Sequence, residues 1–233
     1  VPSNLQKSIP YSGYSMDFDG TDFIDASAFS SNISGDWTIS FWFNVPAYDA
    51  TIQYALGFEL GTGLDGGIFT DYNTYSSKWG FYSGNASYRA DSALSVGNWH
   101  HCVITRTGNN LAFYADGAAD GTDTNTDSMD IASFRIGERT DNNWGLTGKI
   151  SNVSTFNRVL TQDEILRVYN GGSPGDLTNL NPLNWWSLGA DSYFNGSEWI
   201  CPDIGANTNN GTSDGLGADD LVGIGPDSLA NGT

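Results

Sequence analysis

The residues of this chain best equipped for chemistry do not form a catalytic set. Glutamate is scarce: Glu59, Glu138, Glu164 and Glu198 stand isolated in a chain whose acid is otherwise aspartate. Cutting a glycosidic bond needs two carboxyl groups flanking it, one to protonate the leaving oxygen and one to attack or to activate water. No strong strand pattern here carries two acids in the alternation that would turn both toward one cleft. His100 and His101, the two histidines, are adjacent, so on a strand they point to opposite faces and cannot serve one site. Their spacing fits no zinc pattern either. Binding chemistry is better represented. Trp144 follows Asp141, Asn142 and Asn143, and Tyr72 and Tyr75 lie in a second polar stretch. A flat ring covers the C–H face of a sugar while neighbouring Asp and Asn side chains bond its hydroxyls. Trp144 would equally suit capping an edge of the fold, and both readings stay open here.

Positioning such residues requires a framework, and the pattern of the chain is that of strands. Trp37 to Val45 alternates strictly, with Trp37, Ile39, Phe41 and Phe43 on one face and Thr38, Ser40, Trp42 and Asn44 on the other. Trp42 on the polar face is expected to lie under a neighbouring sheet or helix. Strands are also expected at 14–18, 23–24, 52–60, 66–72, 78–82 and 86–90. A pair at 99–107 and 111–115 is joined by Gly108-Asn109-Asn110 and followed by the Asp116-Gly117 turn. Further strands follow at 133–137 and 146–156. One helix is signalled near 162–170. Thr161 is its N-cap, Glu164 stands at N3 to complete a capping box, and Gly171-Gly172 ends it. The reading is all-β: a two-sheet antiparallel jelly-roll sandwich with one short helix.

The 233 residues fit one such domain, and aromatics at 13% provide large rings for its core. The formal charge is −18, from 27 acidic against 9 basic residues. That balance argues against nucleic acid, whose phosphates need neutralising cations, and against an anionic membrane surface. No apolar run reaches membrane-spanning length. Residues 1–13, with Pro2 and Pro10, read as an N-terminal arm, and 14–233 as the jelly roll. Within it, 173–233 is rich in Gly, Asn and Asp. Composition alone would leave it disordered, and the reading adopted is a segment returning to the sandwich or to a neighbouring subunit.

The chain resembles the laminin-G-like, concanavalin-A-like jelly rolls, particularly their bacterial, viral and pentraxin-related branch. The residues that carry the resemblance are Trp99-His100-His101, Tyr114-x-Asp116-Gly117, Ile136-Gly137 and Gly148-Lys149-Ile150. Asn157-Arg158-x-Leu160-Thr161-x-x-Glu164-Ile165 continues it, and Met16 to Gly20 followed by Trp37 to Phe43 matches the opening strands. In the pentraxin-like branch calcium lies on one sheet face. The resemblance places Asp65 and Asp141 at acidic positions of that site, with Glu138 beside them, although Arg139 and Thr140 stand where further oxygen ligands belong. Ca²⁺ wants six to eight oxygens, so the expectation is one Ca²⁺ held by Asp65, Glu138 and Asp141. Cys102 and Cys201 either form a disulfide tying the C-terminal segment to the sandwich or remain separate thiols.

The function implied is non-catalytic recognition of a glycan or cell-surface polysaccharide, calcium-assisted, through Trp144, Asn142, Asn143, Tyr72 and Tyr75. The location implied is extracellular, on a cell surface or on a virion. The alternative is a structural subunit of a virion or surface filament, a homo-oligomer or larger assembly built through its terminal segments. A glycoside hydrolase is the second alternative, weakened by the missing carboxylate pair.

Overall fold

In the computed structural model, residues 13–26, 33–47, 51–71, 78–127 and 130–226 are described. Residues 1–12 of the proposed arm, 1–13, and both Tyr72 and Tyr75 lie outside these residues. The alternating strand Trp37–Asn44 (β3) is the centre of the architecture. Its Trp37, Ile39, Phe41 and Phe43 side chains enter the main core, each at most 2% exposed. On one side β3 pairs with His100–Thr107 (β8), which continues to Asn110–Ala115 (β9) and Ala118–Thr124 (β10). On the other side it pairs with Thr147–Phe156 (β12), then Ser15–Asp19 (β1) and Leu221–Val222 (β17). Asn184–Trp186 (β13) adds to β12. These eight strands are the first sheet.

The second sheet has nine strands. Its middle is Phe23–Asp25 (β2), Ile131–Ile136 (β11), Gln53–Leu60 (β4) and Asp65–Asp71 (β5). Lys78–Tyr82 (β6) and Ser87–Ala93 (β7) extend one side. Tyr193–Phe194 (β14), Trp199–Cys201 (β15) and Gly211–Asp214 (β16) extend the other. All pairings within the sheets are antiparallel, so the architecture is the sandwich that the strand pattern implies. Between the sheets, Trp79 meets Phe113 edge-on at 5.5 Å and Phe134 stacks on Trp186 at 5.4 Å. Where β7 and β10 run alongside each other, Asp120 stitches the sheets together. Its carboxylate accepts from Trp79 Nε1 at 3.2 Å and from the Ser92 amide at 2.9 Å.

The outer face of the first sheet is covered by the helix Gln162–Tyr169 (α1). Thr161 and Glu164 make the reciprocal capping box, and Arg158 grips both Glu164 oxygens at 2.8 Å. Those bonds, with the Thr161 amide, hold the Glu164 carboxyl down at about 2. Ile165 and Val168 pack with Val103, Phe156 and Trp185 in a second apolar cluster. Trp42 lies beneath, 1% exposed, stacked on Tyr169 at 5.7 Å and against His101 at 5.0 Å. This is the cover expected for a tryptophan on an otherwise polar face.

The C-terminal segment departs furthest from its composition. Asp203, 4% exposed, accepts four hydrogen bonds: from the Trp185 and Gly205 amides on Oδ1, and from Asn184 Nδ2 and the Asn209 amide on Oδ2. Trp186 and Trp199 donate their indole N–H groups to the Asn209 and Gly217 carbonyls. With those anchors β16 lies against β2, pairing Thr212 with Asp25 and Asp214 with Phe23. Up to Pro226 the segment is thus built into its own sandwich, through polar bonds that hydrophobic patterning does not display.

The disulfide is not formed: Cys102 and Cys201 are free thiols, both 0% exposed. Cys102 belongs to β8, toward the flank where β7 and β10 meet, whereas Cys201 belongs to β15, on the opposite flank of the other sheet. Burial raises both thiols, Cys201 to about 12, which keeps them protonated and inert.

Candidate functional site

The β11–β12 loop carries the residues singled out above, and its backbone decides what each can do. The Gly137 amide bonds the Ala55 carbonyl, the Leu146 amide bonds the Gly137 carbonyl, and the Tyr54 amide bonds the Trp144 carbonyl at 2.7 Å. Gly145 forms a bridge with Tyr54 and presses against the β1–β2 turn. A Cβ added to Gly145 would fall 2.2 Å from the Gly20 carbonyl, so only glycine permits that approach. Within this clamp Asn142 (φ 60°) and Trp144 (φ 66°) are left-handed, a conformation that costs a non-glycine residue on the order of 1–2 kcal/mol. The strain aims the Trp144 side chain outward. It is 46% exposed, and no described aromatic ring stacks on it.

Trp144 forms one wall of a cleft of about 350 Å³ between the β1–β2 turn and the start of β4. Asp19, Thr21, Thr51, Gln53 and Thr147 supply its polar lining. Asp19 makes an Asx turn: its Oδ1 accepts from the Thr21 amide at 2.9 Å and the Thr21 hydroxyl at 2.7 Å. The bonds to Thr21 lower the Asp19 carboxyl, while burial of the adjoining Asp22 pushes that partner up to about 6. Charge therefore sits on the exposed Asp19. A carboxylate offers about four acceptor positions, and Thr21 takes two of them. Gln53 complements it. Its side chain is 95% buried (5% exposed), and Oε1 accepts from the Thr147 amide at 3.4 Å. Nε2 of Gln53 has no described acceptor and is not one of the sealed unmatched atoms of the fold, so its two N–H donors open onto the cleft, where a ligand can use them.

The other predicted residues are arranged differently. Asn142 presents its side-chain oxygen to Arg135 Nη1 at 2.8 Å, and Asn143 donates to the Asp141 carbonyl at 3.1 Å; neither lines the cleft. The side chains expected to hold calcium are engaged by other partners. Asp65 accepts from the Thr140 hydroxyl, Glu138 pairs with Arg135 at 2.9 Å, and Asp141 takes both arms of Arg139. Guanidinium groups stand where a cation would, and the bonds from Arg139 hold the Asp141 carboxyl low. Among the described residues no three His, Cys, Asp or Glu side chains gather closely enough to hold a metal ion. These residues do not fit Ca²⁺ at this place.

His101 contacts Ser40, Nε2 to Oγ at 2.8 Å, like two members of a hydrolytic triad. Both are 0% exposed beneath α1, His101 Nδ1 has no partner, and burial drops the imidazole to about 3. The pair is packing. His100 faces elsewhere, its Nδ1 2.8 Å from Asp116.

Sequence reasoning found Trp144, but it missed Gln53 and Thr147. Gln53 opens a strand more than 90 residues from Trp144 and carries no local motif; only the fold brings the two together.

Residues 18–166 match the family model of the concanavalin A-like lectin/glucanases superfamily, and the chain belongs to that family. A protein from Bacteroides ovatus ATCC 8483, provisionally assigned to carbohydrate binding, superposes with a TM-score of 0.70 at 15% identity. The match covers 94% of this chain, and the chain spans 62% of the length of that protein. The native heptameric SAP-like pentraxin of Limulus polyphemus superposes with a TM-score of 0.53 at 15% identity, over 67% of this chain and 81% of its own. No curated protein matches in sequence. Among the described residues no helix is long and apolar enough to cross a membrane.

Proposed function

We propose that this domain is a non-catalytic carbohydrate-recognition module and that the Trp144 cleft is its binding site. The observation that carries the reading is an exposed tryptophan in a left-handed conformation that walls a cleft together with an accessible Gln53 amide and an ionised aspartate. The ring would stack on a sugar face, Asp19 would accept from hydroxyls, and Gln53 would donate to a hydroxyl or ring oxygen. Asp19 is the one carboxylate among the described residues of the lining, whereas hydrolysis uses two. The family and the Bacteroides fold relative agree with sugar binding. Such a target places the domain outside the cytosol, at a cell or particle surface. Assembly through the C-terminal segment has less support, because residues up to 222 pair with their own sandwich.

The test is a glycan and polysaccharide array probed with the wild type and with Trp144→Ala. The wild type is expected to bind, and the variant to bind at least about tenfold more weakly, a loss of ~1.4 kcal/mol or more, with its circular dichroism unchanged. Equal binding by the two proteins would remove Trp144 from the site.

A further inference from the structure

The cleft is one-signed. Each described cation near it is already matched: Arg139 by Asp141, Arg135 by Glu138 at 2.9 Å, and Lys149 by Asp17 at 3.0 Å. Among the described residues the lining contains no lysine or arginine, and its one charged group is the exposed carboxylate of Asp19. The whole chain adds a background of −18. Recognition of carboxylated or sulfated sugars relies on guanidinium forks or ammonium groups, and here neither is free to turn inward. The groups on offer are an acceptor at Asp19, two N–H donors at Gln53 and neutral hydroxyls at Thr21, Thr51 and Thr147. These match a ligand rich in hydroxyls and without charge.

Taking the cleft as the sugar site proposed above, we infer that it selects uncharged hexose units presenting adjacent hydroxyls to Asp19 and rejects uronic, sialic and sulfated sugars. The anionic charge of Asp19 performs both tasks. It strengthens the hydrogen bonds from neutral hydroxyls and repels a ligand anion across a short distance. Its lowered carboxyl, set by the Thr21 bonds, keeps that charge in place at ordinary pH.

Polymer pairs that share a backbone and differ chiefly in charge test this: dextran against dextran sulfate, and methyl-esterified polygalacturonan against polygalacturonate. Affinities are measured for the wild type, Trp144→Ala and Asp19→Asn at low and at high salt. Asparagine keeps the Oδ1 acceptor that Thr21 uses, so the turn survives the second substitution. The expected result is Trp144-dependent binding of a neutral polymer, with its charged counterpart at least about tenfold weaker at low salt. Asp19→Asn should narrow that gap. Trp144-dependent binding of a charged polymer as tight as its neutral counterpart would overturn the inference and leave the sugar site standing. So would a gap that Asp19→Asn does not change, because the discrimination would then belong to the chain's net charge. Absence of Trp144-dependent binding to any of the four polymers would overturn the sugar site itself, and this inference with it.

Discussion

Two tryptophans on the flanks of one sandwich show how the same side chain serves opposite ends. Trp42 lies under α1, 1% exposed, between Tyr169 and His101. Trp144 stands at a loop apex, 46% exposed, with no described ring upon it and a backbone it would not adopt freely. Both regions contain unmatched polar atoms. Beneath the helix they are Trp42 Nε1, His101 Nδ1 and Ser154 Oγ, sealed from solvent. In the cleft Gln53 Nε2 also has no described acceptor, but it is not sealed, and water or a ligand can reach it. An orphan donor is thus informative only together with access. Sealed, it is a cost borne by the fold; open, it is a vacancy in a hydrogen-bond pattern.

That contrast can be broken first at Trp42. Trp42→Ala should lower unfolding free energy by about 3–5 kcal/mol, measured as a drop in denaturant midpoint, and a shift comparable to that of a surface substitution would mean the helix face is not the anchored one. A smaller effect is expected at the cap of the same face. Glu164→Gln should cost about 1 kcal/mol at neutral pH. The Glu164 carboxyl is depressed in the folded chain, so its stabilisation is complete above its ordinary 4.5 and is lost as pH falls toward about 2. The difference between wild type and Glu164→Gln should accordingly shrink through that window; a constant difference would detach the effect from charge. Least of all should happen to stability at the cleft. Trp144→Gly removes the left-handed strain and little packing, so its melting temperature should match or exceed the wild type. A fall equivalent to more than about 0.5 kcal/mol would show that Trp144 caps the sandwich rather than awaiting a ligand.

The legibility of the chain divides along the same line. The helix-covered region was readable because its signals are local. The alternation of β3, the Thr161–Glu164 capping box and the turn at Asp116-Gly117 each lie within a few residues. Trp144 was visible as an aromatic among Asp and Asn, but the residues first grouped with it are engaged elsewhere. Asn142 serves Arg135, and Asp141 serves Arg139. Those pairings turn on side-chain directions within one loop, which spacing does not fix. Gln53 reaches the cleft through sheet topology, and topology has no signature at position 53. Of the C-terminal strands, β14, β16 and β17 were hidden for a further reason. Asp203 organises them by bonding amides and an asparagine, a polar knot that apolar periodicity cannot reveal.

The pairing of β1 with β17 also sets how the cleft is presented. Ser15 lies opposite Val222, so the first and last strands lie side by side at one end of β1. Asp19, at the other end of that strand, belongs to the cleft. At about 3.3 Å per residue, the strand holds the two ends ~13 Å apart. The seam that closes the first sheet and the surface that would meet a glycan therefore occupy opposite ends of one strand.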